Sequence, residues 1–122
     1  AVVGAHLKDM PLHWQLTSRD AEFVGAFHTA PNYRLYAMAD STPPKPALAW
    51  SEDGAAIPVE IYELDAAAFG SFVAEVPAPL AIGTVVLEDG SSVKGFVSEP
   101  RALDGAKDIT HLGGWRAFIE NG

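Results

Sequence analysis

The sequence contains no cysteine, which excludes disulfide bonds, thiolate nucleophiles and cysteine-based metal sites. It also lacks any apolar run near the ~20 residues that a membrane-spanning helix needs, and it shows no signal peptide. These absences lead us to expect a cytoplasmic protein. Basic residues are scarce, with 8 Lys and Arg against 16 Asp and Glu, so the net charge is −8. We therefore expect neither nucleic acid nor an anionic membrane as a partner, since both carry negative charge.

The length and composition indicate one globular domain. A chain of 122 residues is long enough for one modest hydrophobic core, and we expect a single domain over residues 1–122. Hydrophobic residues make up 48% of the chain, and there are 11 Gly and 9 Pro residues. This balance is typical of a folded, turn-rich protein rather than a disordered one.

Alternation of apolar and polar residues predicts most of the strands. Gly25 interrupts one of the alternating runs, which suggests a β-bulge or a close backbone approach there. The apolar residues Ala1–Val3 are read as a further short, buried strand. The runs with clear strand character cover residues 21–28, 33–38 and 57–62.

Two more β-rich runs are joined by Asp89-Gly90, a pair of residues that favours tight turns. They predict a hairpin over residues 82–97 with a two-residue turn. Residues 39–50, by contrast, contain three prolines within four positions. This segment is predicted to be extended or a loop, because proline lacks a backbone N–H and restricts the residue before it. A linker between two halves and a functional loop both remain open.

One helix is well defined by the sequence. Asp65 is a suitable N-cap, and apolar residues recur at helical spacing from there to about Glu75. Residues 115–119 suggest a short closing helix that packs aromatic side chains on the sheet. We therefore predict an α+β domain, built on a small, mostly antiparallel β-barrel or curled sheet with flanking helices.

Spacing alone gives little evidence of chemistry. The histidines His6, His13, His28 and His111 are not spaced to bind one metal ion, so we predict no metal site, and no motif indicates a cofactor. The opening stretch passes from a strand through Gly4 to His6, and a glycine-containing turn of this kind can form a small anion site. From spacing alone, an ordinary histidine at the end of a strand is the simpler interpretation.

Several unusual blocks of sequence occur along the chain. They are VVGAHLKDMPLHWQL (residues 2–16), TAPNYRLYAM (29–38), PPKPAL (43–48), VEIYEL (59–64), VPAPLAIGTV (76–85), VKGF (93–96) and, near the end, DIT, HL and GGWRAF. In this order, from Ala1 to about Ile119, the chain closely resembles the C-terminal domain of allophanate hydrolase. The resemblance implies a γ-glutamylcyclotransferase-like fold, a small mixed barrel with flanking helices, in agreement with the strand and helix count.

The resemblance also implies a reaction. In this family an N-terminal amidase domain converts allophanate into N-carboxycarbamate, and the C-terminal domain is implicated in decarboxylating that product through a histidine. The matching histidine here is His6. An imidazole that titrates near neutrality can supply the proton that nitrogen needs as the C–N bond breaks. The implied partner is a small carboxylate substrate, and the implied reaction needs no cofactor.

N-carboxycarbamate carries two negative charges, so its pocket needs basic side chains. Arg34, Lys45 and Lys94 lie in matching blocks and are the candidates for binding its carboxylates. Tyr36, on the same strand face as Arg34, is a candidate hydrogen-bond donor. Each of these residues also has a simpler interpretation, as a solvated or packing side chain. The remaining substrate-binding candidates belong to the turn around the histidine: Gly4, Ala5 and Leu7.

Departures from the family leave alternatives open. The amidase domain is absent, so the chain is either an excised domain or a stand-alone relative with a possible separate amidase partner. His13-Trp14 stands where the family often has a smaller polar pair. The catalytic glutamate of γ-glutamylcyclotransferases falls near Glu75, which makes cyclotransfer the alternative activity, with Glu75 as its acid or base. A non-catalytic binding or assembly module is the third interpretation.

Overall fold

The computed structural model describes residues 1–121, which form seven strands and three α-helices. The strands are β1 (Glu22–His28), β2 (Tyr33–Ala37), β3 (Pro46–Trp50), β4 (Pro58–Glu63), β5 (Leu80–Val86), β6 (Ser92–Ser98) and β7 (Lys107–Asp108). The helices are α1 (Trp14–Thr17), α2 (Ala66–Ala74) and α3 (Trp115–Asn121), with 3₁₀ helices at Pro100–Leu103 and Thr110–Leu112. No helix within the described residues is long and apolar enough to cross a membrane.

All the strand pairs are antiparallel, and they form three small sheets in the orders β1-β4, β3-β2-β7 and β5-β6. The α+β class with mostly antiparallel strands and few helices is therefore confirmed. Over residues 1–121, however, the sheets do not close into the barrel that the sequence suggested. The physical reason is that neighbouring sheets meet through isolated bridges, such as Val2 with Glu60 and Thr29 with Leu87, rather than through continuous ladders.

The opening residues join two sheets instead of forming the strand predicted for Ala1–Val3. Val2 pairs with Glu60 of β4 through two backbone hydrogen bonds, and the Ala1 carbonyl accepts one from the amide of Phe96 in β6. Val2 and Val3 are both buried. The apolar run was therefore correctly predicted to be buried, but its pairing is limited to a single bridge.

The predictions for β1, β2, β4 and α2 are confirmed, with small shifts at their ends. The ladder between β1 and β4 changes register between Phe23 and Gly25, which confirms the predicted bulge. Asp65 caps α2 by accepting a hydrogen bond from the amide of Ala68 at 2.7 Å. The short closing helix is confirmed as α3, whose first residue, Trp115, is buried.

The proline-rich segment was predicted to be extended or a loop, and its last five residues are extended as β3, an edge strand that begins at Pro46. Proline is tolerated there because an edge strand has one unpaired side. The hairpin turn contains three residues rather than two, since the amide of Leu87 donates to the carbonyl of Ser91 at 2.8 Å. Gly90, at φ 89°, provides the left-handed residue that such a turn requires.

A close contact between Gly4 and Pro46 joins the opening turn to the start of β3. A Cβ atom placed on Gly4 would lie far inside van der Waals contact with Cγ and Cδ of the Pro46 ring. The ring is buried and belongs to a strand, so it cannot move aside as the end of a flexible side chain would. Only glycine allows this approach.

We expect Gly4→Ala to destabilise the fold by about 1–3 kcal/mol or more, the usual cost of overpacking. The matched control is Gly70→Ala in α2, where an added Cβ meets nothing within 4 Å. That change should instead stabilise the protein by about 0.5–1 kcal/mol, because alanine favours helix. Denaturant unfolding measures both values, and equal stability of the two variants would contradict the importance of the contact.

Candidate functional site

The turn that carries His6 is held in place by backbone bonds and by one carboxylate. Within the turn, the amide of Leu7 donates to the Gly4 carbonyl at 3.0 Å. Glu60 on β4 accepts a hydrogen bond from the amide of Lys8 at 2.9 Å and another from Arg116 of α3 at 2.9 Å. Arg116 also donates to the Lys8 carbonyl at 2.6 Å. The site is therefore built on a strand and a helix, which fix the path of the turn.

Burial and hydrogen bonding together set the pKa of Glu60. Burial alone would raise it, but hydrogen bonds from the Lys8 amide, Arg116 and Tyr62 outweigh that effect and lower the pKa. The same burial, together with the hydrogen bond to Glu60, raises the pKa of the Tyr62 hydroxyl. Glu60 is therefore an ionised anchor for the turn.

His6 is buried, with only 8% of its surface exposed. Its ring stacks on Phe96 of β6 at a centroid distance of 4.9 Å, and the edge-to-face contact with Phe72 of α2 measures 5.2 Å. Among the described residues it is the one buried histidine, and no Asp, Glu, Lys or Arg is buried to the same degree. The prediction of an ordinary strand-end histidine at the surface is thus replaced by a histidine enclosed between two aromatic rings.

Hydrogen bonds fix the orientation and the tautomer of the His6 imidazole. Its Nε2 lies 2.7 Å from Oε1 of Gln15. An amide oxygen only accepts, so Nε2 carries the proton in the neutral ring, and Nδ1 is the basic nitrogen. His13 adds support from the other side, because its Nδ1 donates to the His6 carbonyl at 3.0 Å. His13 therefore positions the backbone of the residue that the sequence singled out.

The surroundings of His6 favour the neutral imidazole. Burial is the largest cause and lowers its pKa, whereas the hydrogen bond to Gln15 raises it. The positive charge of Lys45 and the proximity of His13 lower the pKa further. Near pH 7 the ring is therefore neutral and able to accept a proton at Nδ1.

A small cavity of about 20 Å³ lies beside His6. Three of the predicted site residues line it with His6, namely Gly4, Ala5 and Lys45, and Pro46 and Leu80 complete much of the wall. Lys45 is fixed at its backbone, since its amide donates to Oγ of Ser41 at 2.9 Å and its carbonyl accepts from the Met38 amide at 3.1 Å. The structure therefore places a lysine side chain next to the buried histidine.

Other predicted residues lie elsewhere. Arg34 pairs with Asp108 at 2.8 Å, which ties β2 to β7, and it also donates to the Asp53 carbonyl. Tyr36 faces Asp108 across the same ladder. Burial would raise the pKa of Asp108, but hydrogen bonds from Thr110 and Arg34 outweigh it and lower the pKa. Arg34 and Tyr36 are thus engaged with the β2–β7 region rather than brought to the cavity beside His6.

The remaining candidates are also separated from that cavity. Lys94 lines a different, mostly apolar cleft of about 330 Å³, and its amine donates to Oγ1 of Thr84 at 3.2 Å. Leu7 is buried on the side that faces α3. Glu75 is the C-cap of α2 and pairs with Arg19 at 3.0 Å. Neither Lys94 nor Glu75 lines the cavity beside His6.

Sequence reasoning missed the residues that surround His6 most closely. Gln15, Phe72 and Phe96 come from three different elements, and no spacing rule connects them to position 6. Two of the blocks held usable signals: residues 2–16 contain Gln15 together with His6, and VKGF contains both Phe96 and Lys94. In VKGF the prediction selected the charged residue, whereas the aromatic residue is the one that contacts the histidine.

Comparison with known proteins agrees with this architecture. Residues 1–120 match the model of the allophanate hydrolase C-terminal domain. The chain belongs to this family. Urea amidolyase of Lachancea kluyveri is 43% identical over 98% of the chain, although the match spans only 7% of that protein. The crystal structure of Kluyveromyces lactis allophanate hydrolase superposes with a TM-score of 0.94 at 44% identity, covering 98% of this chain and 20% of that one.

This family fold also occurs in short chains. The crystal structure of a uropathogenic E. coli-specific protein superposes with a TM-score of 0.90 at 31% identity. The match covers 99% of this chain and 94% of that one. By contrast, the chain spans 7% of the curated urea amidolyases, so most of their length lies outside the shared domain.

We predict that Lys45→Met raises the pKa of His6, because the change removes the positive charge of lysine and leaves an uncharged side chain of similar length. Gln15→Leu should lower it, because the hydrogen bond that favours the charged ring is lost. NMR titration of the His6 ring protons measures both shifts. Lys107→Met, which changes an exposed lysine on β7, is the control and should leave the titration unchanged. A His6 pKa that is unaffected by Lys45→Met would contradict the described geometry.

Proposed function

We propose that this domain decarboxylates N-carboxycarbamate or a closely related small carboxylated amide, with His6 as the residue that delivers the proton. The observation that carries the proposal is a buried, neutral imidazole held in one tautomer by Gln15, beside a cavity that Lys45 also lines. Membership of the allophanate hydrolase C-terminal domain family supports it.

The reaction needs one proton. The C–N bond of the N-carboxycarbamate dianion breaks, its electron pair stays on nitrogen, and carbon dioxide leaves. Nitrogen then takes a proton, and the second product is carbamate. A general acid placed at that nitrogen is typically worth about 10²–10⁴-fold in rate. His6 is suited to this role because its Nε2 proton is held by Gln15 while Nδ1 can take up and pass on a proton.

The negative charge of the bound substrate is what favours protonation of His6 in this proposal. In the free protein, burial and Lys45 keep the pKa of the ring below its usual value. A bound dianion more than offsets this effect, because a nearby negative charge stabilises the imidazolium. The ring therefore gains its proton when substrate is present and loses it to nitrogen as the bond breaks. Lys45 balances the charge of a carboxylate at the same cavity.

The names of the relatives suggest the metabolic setting. Urea amidolyases and an allophanate hydrolase contain this domain as a small part of a longer chain. By analogy, the domain acts in urea degradation in the cytoplasm, downstream of an amidase. That amidase is either a separate partner or another part of the same polypeptide, and it supplies the carboxylated product that His6 processes.

Neither alternative activity gains support from the geometry. Cyclotransfer would assign the acid–base role to Glu75, but this carboxylate is paired with Arg19 at 3.0 Å and does not line the cavity beside His6. A non-catalytic module would be favoured by an exposed His6 without a basic neighbour. His6 is instead buried, and Lys45 lines the same cavity.

The test is carbon dioxide release from N-carboxycarbamate that an added amidase generates from allophanate. We expect the 122-residue chain to accelerate release above the spontaneous rate and His6→Gln to abolish the acceleration. Glutamine keeps an N–H donor near Gln15 but cannot titrate. His111→Gln, at an exposed position, is the matched control and should retain full activity. Acceleration that persists in a folded His6→Gln protein would refute the proposed role.

A further inference from the structure

A second pocket adjoins the cavity beside His6. It has a volume of about 330 Å³, within the range of small-molecule sites, and lies between the segments 38–45 and 77–80 and the 3₁₀ helix Pro100–Leu103. We call it the outer pocket. Its polar and charged lining residues are Asp40, Ser41, Thr42, Lys45, Arg101 and Asp104.

The outer pocket and the cavity beside His6 share two lining residues, Lys45 and Leu80. These two side chains therefore form the common wall between the buried imidazole and the larger space. Lys45 has a flexible four-carbon stem on a fixed backbone, so its amine can serve either side of the wall. Leu80 contributes an apolar surface without a competing charge.

The two volumes differ in what they can hold. A cavity of about 20 Å³ accommodates roughly one water molecule. A molecule with two carboxyl groups is several times larger and cannot fit beside His6 without displacing the wall. The outer pocket is large enough for the whole ligand, so a substrate bound there needs to pass only one end between Lys45 and Leu80.

The outer pocket contains a second cation suited to a carboxylate. Arg101 uses its Nε to bind Glu99 at 2.8 Å, and no hydrogen bond to a described residue occupies its terminal nitrogens. Those N–H groups are the ones that form a fork with a carboxylate. Its side chain is 62% exposed, so a ligand can reach it. Lys45 and Arg101 thus provide one cation near His6 and another farther out.

Two acidic residues restrict which ligands fit. Asp40 and Asp104 line the same pocket, so its lining carries no net positive charge from these four ionisable residues. The outer pocket as a whole therefore attracts anions only weakly, and a ligand must place its carboxylates directly against Lys45 and Arg101. N–H groups on the ligand would be favoured, because the aspartates can accept hydrogen bonds from them. A short dicarboxylate with a nitrogen between its carboxyl groups meets these conditions.

We infer that the outer pocket is the substrate-binding half of the site, where Lys45 binds the carboxylate nearer His6 and Arg101 binds the distal one. Arg101 is then a specificity-determining residue for short dicarboxylates. The identity of the ligand rests on the proposed function, whereas the location of the pocket and its two cations does not.

Malonate tests this inference, since it has the shape and charge of N-carboxycarbamate with a stable carbon in place of nitrogen. Backbone NMR of the 122-residue chain should show malonate shifting the amides of residues 41–45 and 101–104. Lys45→Met and Arg101→Gln should each weaken malonate binding by about tenfold or more, as expected for the loss of one charged hydrogen-bond partner. Lys107→Gln, an exposed control, should bind normally, and acetate should bind far more weakly than malonate.

Steady-state kinetics provide a second test, because a purely structural role of Arg101 would not change KM separately from kcat. Arg101→Gln should raise KM for carbon dioxide release and leave kcat nearly unchanged, because it binds substrate away from the reacting atoms. The inference is overturned if malonate shifts the amides around Lys94 instead, if it does not bind, or if Arg101→Gln and Lys107→Gln behave alike. If malonate binds at Lys45 and Arg101 while His6→Gln remains active, the pocket stands and the proposed function fails.

Discussion

The site depends on the absence of a side chain at Gly4. This glycine lets the opening turn pack directly against the ring of Pro46, and an added Cβ would overlap that ring. Pro46 is the buried first residue of β3, and Lys45 precedes it immediately. The contact therefore sets the distance between His6, two residues after the glycine, and Lys45. The close packing of Gly4 on Pro46 thus allows Lys45 and His6 to line the same cavity.

Burial of His6 has a cost that the fold offsets locally. An imidazole between Phe72 and Phe96 loses hydration of its charged form, and this burial is the main reason that its pKa falls. Gln15 accepts the hydrogen bond of the neutral ring, and no fully buried side-chain nitrogen or oxygen within residues 1–121 lacks a partner. The neutral ring is the favoured form in the free protein, and the proposed reaction requires that a bound anion favour the charged form.

Local signals predicted most of the elements, but not how the site is assembled. Asp65 as an N-cap and the apolar periodicity of α2 are short-range features, and both were read correctly. The sequence left residues 39–50 as extended or loop, because burial rather than local propensity stabilises the pairing of the strand that begins at Pro46. Arg34 was a reasonable carboxylate-binding candidate from the sequence, but in the fold it pairs with Asp108, which lies 74 positions away along the chain. Only tertiary packing distinguishes such an arginine from Lys45.

Nitrogen NMR of ¹⁵N-labelled histidine shows whether a bound dicarboxylate charges His6. At pH 7 the free protein should show a neutral His6 ring with its proton on Nε2. Saturation with malonate should convert this ring to the doubly protonated imidazolium, while the exposed His111 remains unchanged. A His6 ring that stays neutral with malonate bound would contradict the account.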